Sequence, residues 1–237
     1  MTEKELYGMI NEREGIAEVL YPSLMRKVYL WMTLALAITG FTAHIVSTNF
    51  GIQNFIADHP WIMIAAIVAE LVLVIAVSAR IDRLSLSTAT LLFIAYAVLN
   101  GLTLSPILMV YTQSSVAKVF FITAGTFGAM ALFGSRTRRD LSMMGRILIM
   151  GLIGIIIASV VNIFLKSSGF EMILSYLGVA IFVGLTAWDA QKIKMMLAQC
   201  EAPDEEAHKV ALLGSLSLYL DFVNLFLYLL RIFGSRE

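Results

Sequence analysis

The sequence predicts an all-α, polytopic membrane protein with seven transmembrane helices. Three observations carry that expectation. Of the 237 residues, 59% are hydrophobic and only 14% are charged, whereas soluble domains are nearer half apolar and a quarter charged. The apolar residues gather into seven segments, at 28–46, 62–79, 89–111, 116–134, 147–165, 172–188 and 211–233. Each is close to the ~20 residues that carry a helix across ~30 Å of hydrocarbon. The ~10-residue alternating segments of a membrane β-barrel do not occur, and helices are then the structures that satisfy their own backbone in lipid.

The elements follow in order. Residues 1–25 are polar and mixed in charge, without the charged start, apolar core and small-residue cleavage site of a secretory signal. They read as a polar cytoplasmic segment ahead of one transmembrane domain, 26–237, and segment 28–46 stays as an anchor. Residues 50–60 connect it to segment 62–79, which holds Glu70 near its middle and is followed by Arg80. Segments 89–111 and 116–134 are joined by residues 112–115 alone. The run SRTRRD at 135–140 precedes segment 147–165. The longest connection, 191–210, contains EAPDEEAHK and is aqueous. Gly125, Gly128, Gly151, Gly154, Gly178 and Gly184 fall inside segments, where small residues let helix backbones approach closely. Short connections and the lack of an internal repeat make this one bundle.

Lysine and arginine counts set the orientation. With the N-terminus cytoplasmic, thirteen of them fall inside, among them Lys4, Arg13 and the SRTRRD arginines. Four fall outside: Lys118, Lys166, Arg231 and Arg236. Seven crossings put the C-terminus outside. Arg231 and Arg236 fit that poorly, so a six-crossing or re-entrant variant stays open. Formal net charge is zero, which offers no basic surface for nucleic acid. The single cysteine, Cys200, excludes an intramolecular disulfide and reads as an incidental thiol in a polar loop.

The last segment carries the most informative pattern. Ser217, Asp221, Asn224, Tyr228 and Arg231 recur at intervals of 4, 3, 4 and 3 residues, which lines them along one helix face. The other faces are leucine, phenylalanine and valine. Serine and asparagine on such a stripe serve as hydrogen-bonding glue. A carboxylate at that depth is costly and marks a proton or ion site. Asp189, at the end of the sixth segment, and Glu70 are other acids that could meet Asp221. Arg80 ends the second segment at the membrane boundary, about 15 Å along the helix from Glu70. Counting residues from segment ends leaves Asp189 and Asp221 about 10 Å apart in depth, so pairing is allowed but not dictated. Two such carboxyls a few ångströms apart would share a proton and titrate as one unit. Losing that proton would leave two like charges to recruit a cation, bind a metal ion weakly, or separate: a pH-controlled latch between helices.

Three stretches carry a resemblance. YLDFVNLFLYLLRIFG, AYAVLNGLTLSPI at 95–107 and DAQKIK at 189–194 resemble the Bax inhibitor-1, or transmembrane Bax inhibitor motif, family and its bacterial YetJ- and YccA-like members. The likeness covers nearly all seven segments but not the first 25 residues. It implies seven helices with the last one central, and a pH-sensitive calcium leak gated by an aspartate pair. Asp221 and Asp189 match that pair, Arg80 matches an arginine that caps it, and Glu70 matches a second-helix acid. The resemblance also implies regulators of cell death and binders of a membrane protease as other members.

The leading expectation is therefore a proton-gated calcium leak of a bacterial inner or plasma membrane. Its partners would be the lipid bilayer, calcium ions and protons. Calcium wants several oxygen ligands; Asp221, Asp189, Glu70 and Asn224 supply too few for tight binding, which suits a permeant or weakly bound ion rather than a resident cofactor. The alternatives are a regulator of other membrane proteins, such as a membrane protease, and a proton-coupled transporter with a larger cavity and two access states. An enzyme is not expected. No nucleophile–base motif appears, and His44, His59 and His208 lie at or near segment ends without a ligand set.

Overall fold

Lipid leaves a backbone no hydrogen-bond partner but itself, and the described residues of this chain form eight α-helices. The computed structural model describes the backbone of residues 3–200 and 202–236 and the side chains of residues 22–200 and 202–236. The helices are α1 (Glu3–Thr48), α2 (Phe50–Asp58), α3 (Trp61–Arg80), α4 (Leu86–Val110), α5 (Gln113–Arg136), α6 (Ser142–Leu165), α7 (Ser168–Ala198) and α8 (Glu205–Phe233), with a 3₁₀ turn at Ile81–Arg83. All but α2 are long and apolar enough to span a membrane; in α1 the span is Pro22–Thr48. No strand occurs among the described residues, and an isolated antiparallel bridge joins Tyr111 to Arg236. The side chains of Lys4 and Arg13 lie outside the described residues, as does most of the polar segment 1–25.

Two connections differ from the expectation. Residues 50–60 are not a loop: the Asn49 side chain accepts from the Gly51 and Ile52 amides at 3.0 and 3.2 Å, and α2 follows it. The aqueous connection 191–210 shrinks to 199–204. Asp204 accepts from the Ala207 amide at 2.9 Å, an N-cap, and Glu205 and Glu206 occupy the acid-favouring first turn of α8. Hydropathy marks where a helix leaves hydrocarbon, not where it ends. The 29 residues of α8 form one uninterrupted helix, long and apolar enough to cross a membrane.

The two compact units of the chain divide it discontinuously. The first comprises Met1–Thr42, Asn54–Thr103 and Lys192–Leu216; the second comprises Ala43–Gln53, Leu104–Gln191 and Ser217–Glu237. In the first, Leu24, Val28, Val77, Phe93, Leu197 and Leu212 are buried. Thr39 there donates its hydroxyl to the Ala97 carbonyl at 2.9 Å, Lys27 meets His208 Nε2 at 2.6 Å, and the Leu86 amide donates to Glu205 at 2.9 Å. In the second, Val119, Phe127, Phe182, Leu218, Tyr219 and Leu225 form the core. Phe222 anchors it through edge contacts with Phe120 and Phe127, at 5.5 and 5.4 Å between centroids. Leu71 on α3 and Phe164 on α6 are 61% and 82% exposed, as lipid-facing residues are.

The glycines inside the segments are not all packing devices. Gly125, Gly128 and Gly154 face open space, whereas Gly178 and Gly184 lie against Tyr228 and Leu148. Two very close approaches between helices involve Gly134 and Gly145, near the ends of α5 and α6. A Cβ on Gly134 would overlap the Ala187 carbonyl, and one on Gly145 would overlap the Trp188 indole. Both glycines therefore bring a neighbouring helix onto the turn of α7 just before Asp189.

Candidate functional site

α8 is the most buried of the seven membrane-length helices. Ala211, Ser215, Leu218, Phe222, Leu225 and Leu229 are buried along one face, and Leu212, Leu216, Tyr219, Val223 and Leu230 are buried along another, so the helix is covered on more than one face. Asp221 lies within this surround at 5% exposure. Its Oδ2 is buried and makes no hydrogen bond among the described residues. Asp189, half-buried on α7, is near enough for its charge to act on the Asp221 carboxyl. The two carboxyls belong to the same unit.

The rest of the stripe is graded. Ser217, Asn224 and Tyr228 are half-buried and Arg231 is exposed. Asn224 donates to the Leu220 carbonyl of its own helix at 2.8 Å, a local bond rather than a bridge between helices. Tyr228 stacks on Phe182 at 5.8 Å, and the Arg231 guanidinium lies over the Tyr228 ring at 5.5 Å.

Glu70 and Arg80 fall in the other unit. Arg80 closes α3 and is exposed. Glu70 accepts from Asn100 Nδ2 at 3.2 Å and from the Thr103 hydroxyl at 2.7 Å. Three-residue spacing puts Asn100 and Thr103 on one face of α4, so a single helix face satisfies both Glu70 oxygens. Sequence reasoning named Glu70 without these partners, although both lie in the quoted AYAVLNGLTLSPI stretch. It also passed over Gln191. That buried side chain accepts from the Leu141 amide and donates to the Arg139 carbonyl, each at 2.8 Å. It ties the turn between α5 and α6 to α7, two residues beyond Asp189. Among the described residues no three His, Cys, Asp or Glu side chains cluster as a metal site.

A covered last helix with a buried aspartate in a YLDFVNLF block can now be set beside known proteins. The family described as "Inhibitor of apoptosis-promoting Bax1" matches residues 22–237. The chain belongs to the Bax inhibitor-1 family. This family member is 48% identical over 231 residues to the inner membrane protein YbhL of Escherichia coli K12, covering 97% of each chain. It is 44% identical over 230 residues to an uncharacterized protein of Borreliella burgdorferi, covering 97% of this chain and 99% of the other. It is 43% identical to the uncharacterized protein RP147 of Rickettsia prowazekii, over 90% and 89% of the two chains. As a Bax inhibitor-1 family protein with seven spans, it is an integral, multi-pass membrane protein.

Proposed function

We propose that this protein is a pH-sensitive leak for a cation, with calcium the favoured ion, in a bacterial inner or plasma membrane with its N-terminus cytoplasmic. One observation carries the reading: Asp221 is buried with an oxygen that no donor satisfies among the described residues, and Asp189 acts on it electrostatically. A lone ionised carboxylate so enclosed is costly, and a second charge nearby makes full ionisation costlier. A proton shared by the two carboxyls relieves both burdens and holds α7 and α8 together. Its departure favours separation of the helices or entry of a cation between them. The YbhL likeness supports the inner-membrane location, and the lysine and arginine bias supports the orientation. The resemblance assigns Arg80 the compensating charge, which Arg80→Ala tests by raising the leak at neutral pH.

The test is calcium flux into liposomes holding purified protein, measured against pH. Asp221→Asn keeps size and hydrogen bonding but cannot titrate. The expected result is a folded variant whose flux no longer follows pH. Asp189→Asn gives the same result, and the double variant adds little, as for residues acting as a unit. A wild-type curve from Asp221→Asn, or two independent additive shifts, would refute the gate and favour a regulator of other membrane proteins whose buried acids serve stability alone.

A further inference from the structure

The end of the second unit where α6 stops, α7 starts and α8 stops is cationic and hollow. Three cavities, of about 370, 490 and 260 Å³, share Glu171 and Arg231 in their walls. Arg236 lines the first and third, and Lys166 the second. Within these walls three cations thus face one carboxylate, Glu171, whose charge acts on Arg236. That balance repels a divalent cation and attracts an anion.

The cations are held in place. Arg231 lies over the Tyr228 ring and Arg236 over the Tyr111 ring, at 5.5 and 5.7 Å. The tail that carries Arg236 is pinned to the turn between α4 and α5: the Thr112 amide donates to the Ser235 carbonyl at 3.1 Å, and the Ser235 amide to the Ser115 hydroxyl at 2.9 Å. Gly234 makes that course possible, because a Cβ there would lie 2.5 Å from the Tyr111 ring. Lys166 closes α6 in the left-handed conformation, at φ 50°. A guanidinium held in position suits a phosphoryl group, which it can bind through two parallel hydrogen bonds.

The cavity walls are also apolar at their outer edge. Ile163, Met172 and Val110 line them and are 68%, 42% and 48% exposed. A cationic hollow bordered by lipid-facing apolar side chains at helix ends fits an anion attached to acyl chains better than a free one. We propose that this hollow binds the phosphate of an anionic phospholipid headgroup. The proposal is independent of the leak reading, since it uses neither Asp189 nor Asp221.

The test uses the full chain purified in detergent. Its thermal unfolding midpoint is followed as phosphatidylglycerol, phosphatidylcholine or inorganic phosphate is added. Phosphatidylglycerol is expected to raise the midpoint well beyond phosphatidylcholine, and inorganic phosphate to leave it unchanged. Each cation removed should weaken phosphatidylglycerol binding about five-fold, so Arg231→Gln with Arg236→Gln loses most of the shift. Lys166→Gln, at a separate wall, gives a smaller loss should the double variant not fold. Lys118→Gln, an exposed lysine outside these cavities, keeps the full shift. Equal shifts from the two lipids, a full shift in the double variant, or a shift reproduced by inorganic phosphate would each overturn the proposal, the last by assigning the site to a free anion.

Discussion

Gly134→Ala should destabilise the protein, although alanine is the better helix former. On α5 the substitution gains about 1 kcal/mol of helix propensity. Against that, the new methyl meets backbone rather than a side chain that can turn away. It overlaps the Ala187 carbonyl oxygen and lies 2.7 Å from the carbonyl carbon and 2.8 Å from the Cα of that residue. α5 and α7 must move apart as rigid helices, an overpacking that costs about 3 kcal/mol at the upper end of its usual range. The net loss is about 2 kcal/mol. Gly125→Ala is the internal control. It lies on the same helix with nothing within 4 Å of the added methyl, so it keeps the propensity gain, and the two variants should differ by about 3 kcal/mol. The assay is unfolding by SDS titration in mixed micelles, followed by circular dichroism. Equal stability of the two variants would refute the close approach of α5 and α7. Ala187 is two residues from Asp189, so Gly134→Ala is also expected to alter the flux-versus-pH curve where Gly125→Ala does not.

Two further outcomes are expected. Gln191→Leu leaves the buried Leu141 amide without its acceptor and should cost about 1–3 kcal/mol; faster proteolysis between Thr137 and Leu141 would report the freed turn, and unchanged stability and cleavage would show that water replaces the side chain. Burial, reinforced by Asp204 and Glu206, pushes the Cys200 thiol above its ordinary range. It is then mostly protonated near neutral pH, so alkylation should be slower in the native protein than in the SDS-unfolded chain. The gap should close as pH rises through the raised value and the thiolate forms. Equal rates at neutral pH would contradict the burial.

Fold class and the number of membrane-length helices were legible because lipid imposes a length and a polarity that soluble folding does not. The acids were legible for the same reason, since Glu70 and Asp221 stand out where charge is costly. The spacing of Ser217, Asp221, Asn224, Tyr228 and Arg231 placed them on one face from helical periodicity alone, because periodicity is a local property. The YLDFVNLF block led to the family, which the match over residues 22–237 bears out.

Other features depend on which helix faces meet, and hydropathy is silent on that. No local pattern separates Gly125, facing open space, from Gly134, pressed against Ala187. Asn100 and Thr103 become partners of Glu70 only when α4 packs beside α3. Gln191 acquires its partners only when the turn at Arg139 and Leu141 comes to it. The approach of Asp189 to Asp221 joins residues on successive helices whose tilt and depth are set by packing, not by residue count. Helical periodicity says which residues share a face; tertiary packing decides what that face touches, because every contact between helices depends on both partners' positions at once.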